Sequence, residues 1–90
     1  MTPAAAEALA VQALAHVASD EDMLGRFLAL TGIGPEDLRE RAAAPELLAA
    51  VLDFLLADEP LLLRFCEAAD VKPALPLRAR AELPGFSEPM

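Results

Sequence analysis

Ninety residues carrying a formal charge of −8 allow one domain and little more. Hydrophobic residues make up 56% of the chain, with 20 Ala and 17 Leu among them, which excludes a disordered polypeptide. Fifteen acidic residues against seven basic ones argue against direct nucleic-acid binding, because that balance repels phosphate.

Helix signals recur along the chain and strand signals do not. Thr2 can cap a first helix, with Pro3 at its first position, where a missing N–H is harmless. Ala6, Leu9, Ala10, Ala13, Leu14 and Val17 then share one face at helical spacing. Ser19 or Asp20 caps a second helix, along which Leu24, Phe27, Leu28 and Thr31 line up. Gly32 ends it, since glycine enters the left-handed conformation of a helix C-terminus without steric strain. Gly34 and Pro35 open a short third helix reaching about residue 43, and Pro45 opens a fourth. Asp58, Glu59 and Pro60 start a fifth, and Pro76 a short sixth ending near Leu83. The closing PGFSEPM, residues 84–90, reads as a tail.

The N-terminal stretch is apolar, but it has no Lys or Arg before Arg26, and Glu7 stands where a secretory signal carries positive charge. The most hydrophobic segment, residues 47–63, is broken by Asp53, Asp58, Glu59 and Pro60, short of the roughly 20 apolar residues of a membrane span. The lone cysteine, Cys66, permits no internal disulfide and suits a reducing compartment. A cytoplasmic protein is the expectation.

An internal repeat is the most informative pattern. Residues 20–35 read DEDMLGRFLALTGIGP and residues 58–73 read DEPLLLRFCEAADVKP, with six of sixteen positions identical at an offset of 38. After a one-residue insertion, LRERA at 38–42 matches LRARA at 77–81 in four of five positions. A unit of this length cannot bury its own apolar face, so two units must pack together. The expected architecture is an all-α compact bundle of five to six short helices with approximate internal two-fold symmetry. One domain spans 1–83, with repeats at about 7–43 and 45–83. The fourth helix, PELLAAVLDFLLA, is apolar nearly all round apart from Asp53 and belongs in the middle of the fold or at a subunit seam. In the first helix, Ala10, Ala13 and His16 stand where Leu48, Val51 and Phe54 stand in the fourth.

Catalytic side chains are scarce. There is one His and one Cys, and a nucleophilic pair would need Cys66 beside His16 with a group to orient the imidazole, for which Asp20 is the candidate. His16 flanks the apolar stripe and reads as a packing residue, and Cys66 reads as a small buried hydrophobe. Two soft ligands do not make a zinc site. The acidic clusters at 20–22, 36–37 and 58–59 all fall in first turns, where they complement the helix dipole. Residues 30–35, LTGIGP, look like the glycine turn of a helix-hairpin-helix DNA-binding motif. Leu38 and Arg41 depart from that pattern, and the second repeat carries Asp70 where a phosphate would sit. Neither an enzyme nor a cofactor-bearing protein is expected.

Arg26 and Arg64 occupy the same place in both repeats, beside the core Phe. They form either symmetric salt bridges or carbonyl contacts between helix ends, or a surface that grips acidic groups of a partner. Leu63 is exposed by helical phase, and together with Leu61 or Phe86 it would mark a contact site.

The segments A-x-x-x-L, D-E-x-x-L-x-R-F, the G-(I/V)-x-P turn, L-R-x-R-A and V-L-D-F-L-L-A-D-E resemble a family of small bacterial proteins known as a domain of unknown function. The resemblance covers residues 5–85 and rests mainly on AVLDFLLADEPLLLRFCEAA. It implies a cytoplasmic bacterial protein and brings no activity, cofactor or catalytic residue. Asp70 departs from the glycine the family favours at that helix end.

The leading expectation is a non-enzymatic protein-interaction module that docks on another protein or on itself, with Arg26, Arg64 and Leu63 as contact candidates. A small-ligand or lipid pocket between the repeats, lined by Leu52, Phe54, Phe65 and Cys66, is the alternative. An acidic mimic of nucleic acid is a third reading.

Overall fold

The computed structural model describes residues 1–85. Among these, six helices and no strand form the chain: α1 (Pro3–Ala18), α2 (Glu21–Thr31), α3 (Pro35–Glu40), α4 (Pro45–Leu56), α5 (Glu59–Ala69) and α6 (Leu75–Ala81). Of the proposed tail, residues 84–90, five lie outside the described residues. A radius of gyration of 12.0 Å matches the value of about 12 Å for one compact domain of this length.

Local side-chain chemistry sets the helix boundaries. The Thr2 hydroxyl accepts from the Ala5 N–H at 3.1 Å, and the Asp20 carboxylate accepts from the Met23 N–H at 3.1 Å. Ser19 instead closes α1, its hydroxyl donating to the His16 carbonyl at 2.7 Å, so Asp20 alone caps α2. Asp58 repeats the cap on α5, accepting from the Leu61 N–H at 3.3 Å. Both second helices end in a left-handed residue, Gly32 at φ 73° and Asp70 at φ 55°. At the latter end the Val71 N–H reaches back to the Cys66 carbonyl at 3.0 Å.

Two helices differ from expectation in their boundaries. Helix α6 runs Leu75–Ala81 rather than from Pro76 to near Leu83. Helix α3 stops at Glu40, and residues 41–43 form a turn closed by the Ala44 N–H on the Arg41 carbonyl at 2.8 Å. Pro45 is the cause: it forces Ala44 into extended backbone, ψ 129°, and a helix cannot run through that residue.

Helix α4 is the centre of the fold. Seven of its twelve residues are buried, and α1, α2, α5 and α6 all pack on it. The choice left open between a buried centre and a subunit seam is therefore decided for the centre. Helix α1 packs on α4 and contributes Ala6, Ala10 and Ala13 to the core, each fully buried. Small side chains of this kind permit close helix packing, and the larger Leu48, Val51, Leu52 and Leu55 of α4 are buried in the same core.

The third helices of the two repeats are placed differently. Helix α6 packs across both α1 and α4, while α3 has no comparable contact with either and buries only Leu38. Helix α6 buries Pro76, Ala79 and Arg80, and an ion pair accompanies its placement. Arg80 on α6 is only 6% exposed and donates through Nε to Asp53 Oδ1 of α4 at 2.7 Å. Arg41 holds the matching place in the first repeat and is exposed; at the place matching Asp53, α1 carries Ala15 and offers no carboxylate.

Candidate functional site

The contact candidates part ways in the fold. Arg26 Nη2 lies 3.4 Å from Asp58 Oδ2, so it joins α2 to the cap of α5. Both partners are partly solvated, and a pair of this kind contributes at most about 1 kcal/mol. Arg64 is exposed and has no ion pair or hydrogen bond among the described residues. The expected symmetric tie thus exists on one side only. Leu63 is 44% exposed, as its phase predicts, but Leu61 is buried on the opposite side of α5 and forms no patch with it. Phe86 lies outside the described residues.

The four pocket candidates do not converge. Leu52 is fully buried in the core, and Phe65, Cys66 and Phe54 border three separate surface depressions. Phe65 and Cys66, about 100° apart around α5, open onto different depressions. Burial pushes the Cys66 thiol above its ordinary pKa, which weakens it as a nucleophile. His16 lines a different depression from Cys66, so the Cys–His pair is not assembled. Among the described residues no three His, Cys, Asp or Glu side chains are grouped to hold a metal ion.

Two depressions occupy matching places in the two repeats. One lies between α1 and α5 and is lined by Gln12, Ala15, His16, Phe65, Ala68 and Ala69, with a volume of about 460 Å³. The other lies between α2 and α4, lined by Phe27, Leu30, Thr31, Ala50, Asp53, Phe54 and Ala57, with about 300 Å³. Shifting the first set by 38 residues yields six of the seven in the second. At the heart of each is an edge-to-face ring pair: His16 with Phe65 at 5.5 Å and 61°, and Phe54 with Phe27 at 5.4 Å and 74°. Their chemistry has diverged. The α2–α4 depression is mainly apolar, with Thr31 and Asp53 in its lining, and carries Leu30, at 74% the most exposed large hydrophobic side chain among the described residues. The α1–α5 depression has alanine at the place of Leu30, with Gln12 and His16 added.

His16 Nε2 is shut away from solvent and has no hydrogen-bond partner among the described residues. A buried polar atom in that state costs about 1–3 kcal/mol. Since Phe54 fills the matching place, His16→Phe is expected to raise stability by about 1 kcal/mol in urea denaturation. Unchanged or lower stability would show that the imidazole meets its hydrogen-bonding needs after all.

Sequence reasoning missed the Arg80–Asp53 pair. Arg80 also donates through Nη1 to the carbonyls of Leu83 and Pro84, at 3.2 and 3.0 Å, and so folds the segment after α6 back on the bundle. The signal was present: Asp53 is a lone charge on an otherwise apolar helix and called for a cation opposite.

No helix among the described residues is long and apolar enough to cross a membrane. No curated protein and no solved structure matches the chain significantly. A family model does match, over residues 3–86 and thus nearly the whole length. The chain belongs to the family described as Protein of unknown function (DUF3572).

Proposed function

We propose that this protein is a non-enzymatic helical module that docks on another protein through the α2–α4 depression. Leu30 carries the reading. It stands in water beside Phe27, Ala50, Phe54 and Ala57, although a chain this short needs its leucines for the core. Arg26 lies one turn before Leu30 on α2, and its exposed guanidinium, weakly paired with Asp58, is suited to an acidic group of the partner. The separation of Cys66 from His16 supports a binding role over nucleophilic catalysis. A buried, unpaired cysteine is in keeping with a cytoplasmic setting.

Affinity capture of the tagged full chain from its native cells tests this, with Leu30→Glu, Arg26→Glu and Arg64→Glu alongside. All three positions are exposed, so circular dichroism should show unchanged helix content. One stoichiometric partner, retained by Arg64→Glu and lost by Leu30→Glu, is the expected result. A partner kept by every variant, or none at all, overturns the assignment. Washing at about 0.5 M salt, where exposed charge pairs are screened within a few ångströms, separates this contact from an electrostatic nucleic-acid mimic.

A further inference from the structure

We propose that residues 86–90 of this chain occupy the α2–α4 depression in the free protein, and that a partner must displace them to dock. The contact stands on its own; the regulation rests on the docking reading above.

The route of the chain is the first ground. Arg80 donates through Nη1 to the carbonyls of Leu83 and Pro84, and through Nε to Asp53 at 2.7 Å. Asp53 lines the depression. A Cβ placed on Gly85 would lie 3.7 Å from Arg80 Nη2. A single guanidinium thus separates Gly85 from the wall of the depression, and Phe86 is the next residue. Gly85 turns the chain here at φ 79°, a conformation that glycine enters without strain. Neither the α1–α5 depression nor the one beside Cys66 carries a member of this network.

Chemistry is the second ground. The depression offers Phe27, Leu30, Ala50, Phe54 and Ala57 to an apolar occupant. The other three phenylalanines of the chain are buried, and so short a domain gains from burying the fourth. The edge-to-face pair of Phe27 and Phe54 gives a third ring a surface to pack on. Glu88 supplies the matching charge. Arg26 Nη2 lies 3.4 Å from Asp58, the neighbour of Ala57 in the lining, and the Arg26 side chain is 58% exposed. Its guanidinium therefore stands at that end of the depression with donors to spare.

Reach is the third ground. Five extended residues span about 17 Å. From Ala50 to Ala57 the depression follows α4 for only about 10 Å, at 1.5 Å per residue. A second copy of the chain suits the face less well, because two molecules of charge −8 repel.

NMR of the methyl-labelled full chain at low and high protein concentration tests the contact. Nuclear Overhauser contacts from the Phe86 ring to the Leu30 and Ala57 methyl groups are expected, equal at both concentrations. Phe86→Ser should abolish them and shift the Leu30 methyl resonances while helix content holds. Glu88→Gln should lower the docked population about twofold, the effect of one solvated ion pair. Contacts that grow with concentration would assign the face to a second copy and overturn the proposal. Leu30 methyl groups indifferent to Phe86→Ser would overturn it too. In affinity capture, Phe86→Ser should raise the yield of partner; an unchanged yield overturns the regulation. A lane without any partner removes the docking reading and the regulation with it, but not the contact.

Discussion

Phe27→Ala is expected to remove about 3–5 kcal/mol of stability. Phe27 is fully buried and meets Phe54 edge-to-face at 5.4 Å, so it fastens α2 to the central helix. Truncation leaves a void under Leu30 that no neighbouring helix can close, since α4 is already held by α1, α5 and α6. A domain of this size holds only about 5–15 kcal/mol in total, so the variant sits near the edge of folding. Phe27→Leu keeps most of the volume and remains measurable in urea. A double-mutant cycle of Phe27→Leu with Phe54→Leu should show coupling of about 0.5–1.5 kcal/mol from the ring pair. If Phe27→Ala costs less than about 2 kcal/mol, α2 is not seated on α4 in the manner described.

Arg80→Met comes next, with an expected loss of about 2 kcal/mol. Methionine preserves the apolar stem, so the change isolates the guanidinium. That group donates to Asp53 and to the carbonyls of Leu83 and Pro84. Two effects oppose one another here. Removing a buried charge relieves its desolvation, which alone can make such a replacement neutral. The Leu83 carbonyl, however, is left facing an apolar side chain, and Leu83 is itself buried, so water reaches that carbonyl poorly. The second effect wins because three charge-assisted bonds are lost together. Asp53→Asn is the informative companion. The Asp53 side chain is 57% exposed, so its loss should cost below about 1 kcal/mol and weaken further in salt. Thermal unfolding followed at low and high salt reads both effects. A neutral Arg80→Met would mean that the segment after α6 is held by Leu83 alone.

Both predictions turn on how the two repeats came to differ. Phe27 and Phe65 hold equivalent places, yet one meets a phenylalanine and the other a histidine. Arg80 and Arg41 likewise correspond, and among the described residues only the former finds a carboxylate. The first repeat has kept polar, less tightly packed positions on α1, while the second carries the heavier share of the core on α4.

Helix existence, order and caps were legible in the sequence because they depend on residues three or four apart. Asp20 and Asp58 accept from N–H groups three residues on, and left-handed ends at Gly32 and Asp70 follow from the turn each must make. The central place of α4 was half legible, since an all-round apolar helix must be covered but does not say by what. Tertiary structure decided the remainder. Arg80 and Asp53 are 27 residues apart, and only the packing of α6 across α1 and α4 brings them together. The same packing scattered Leu52, Phe54, Phe65 and Cys66 over the core and three depressions, though all four read alike as apolar positions. It also buried His16 Nε2 beside Phe65. The physical reason is one of range. A cap is settled within a single turn, whereas the depth and company of a side chain depend on the sizes of residues facing it from other helices.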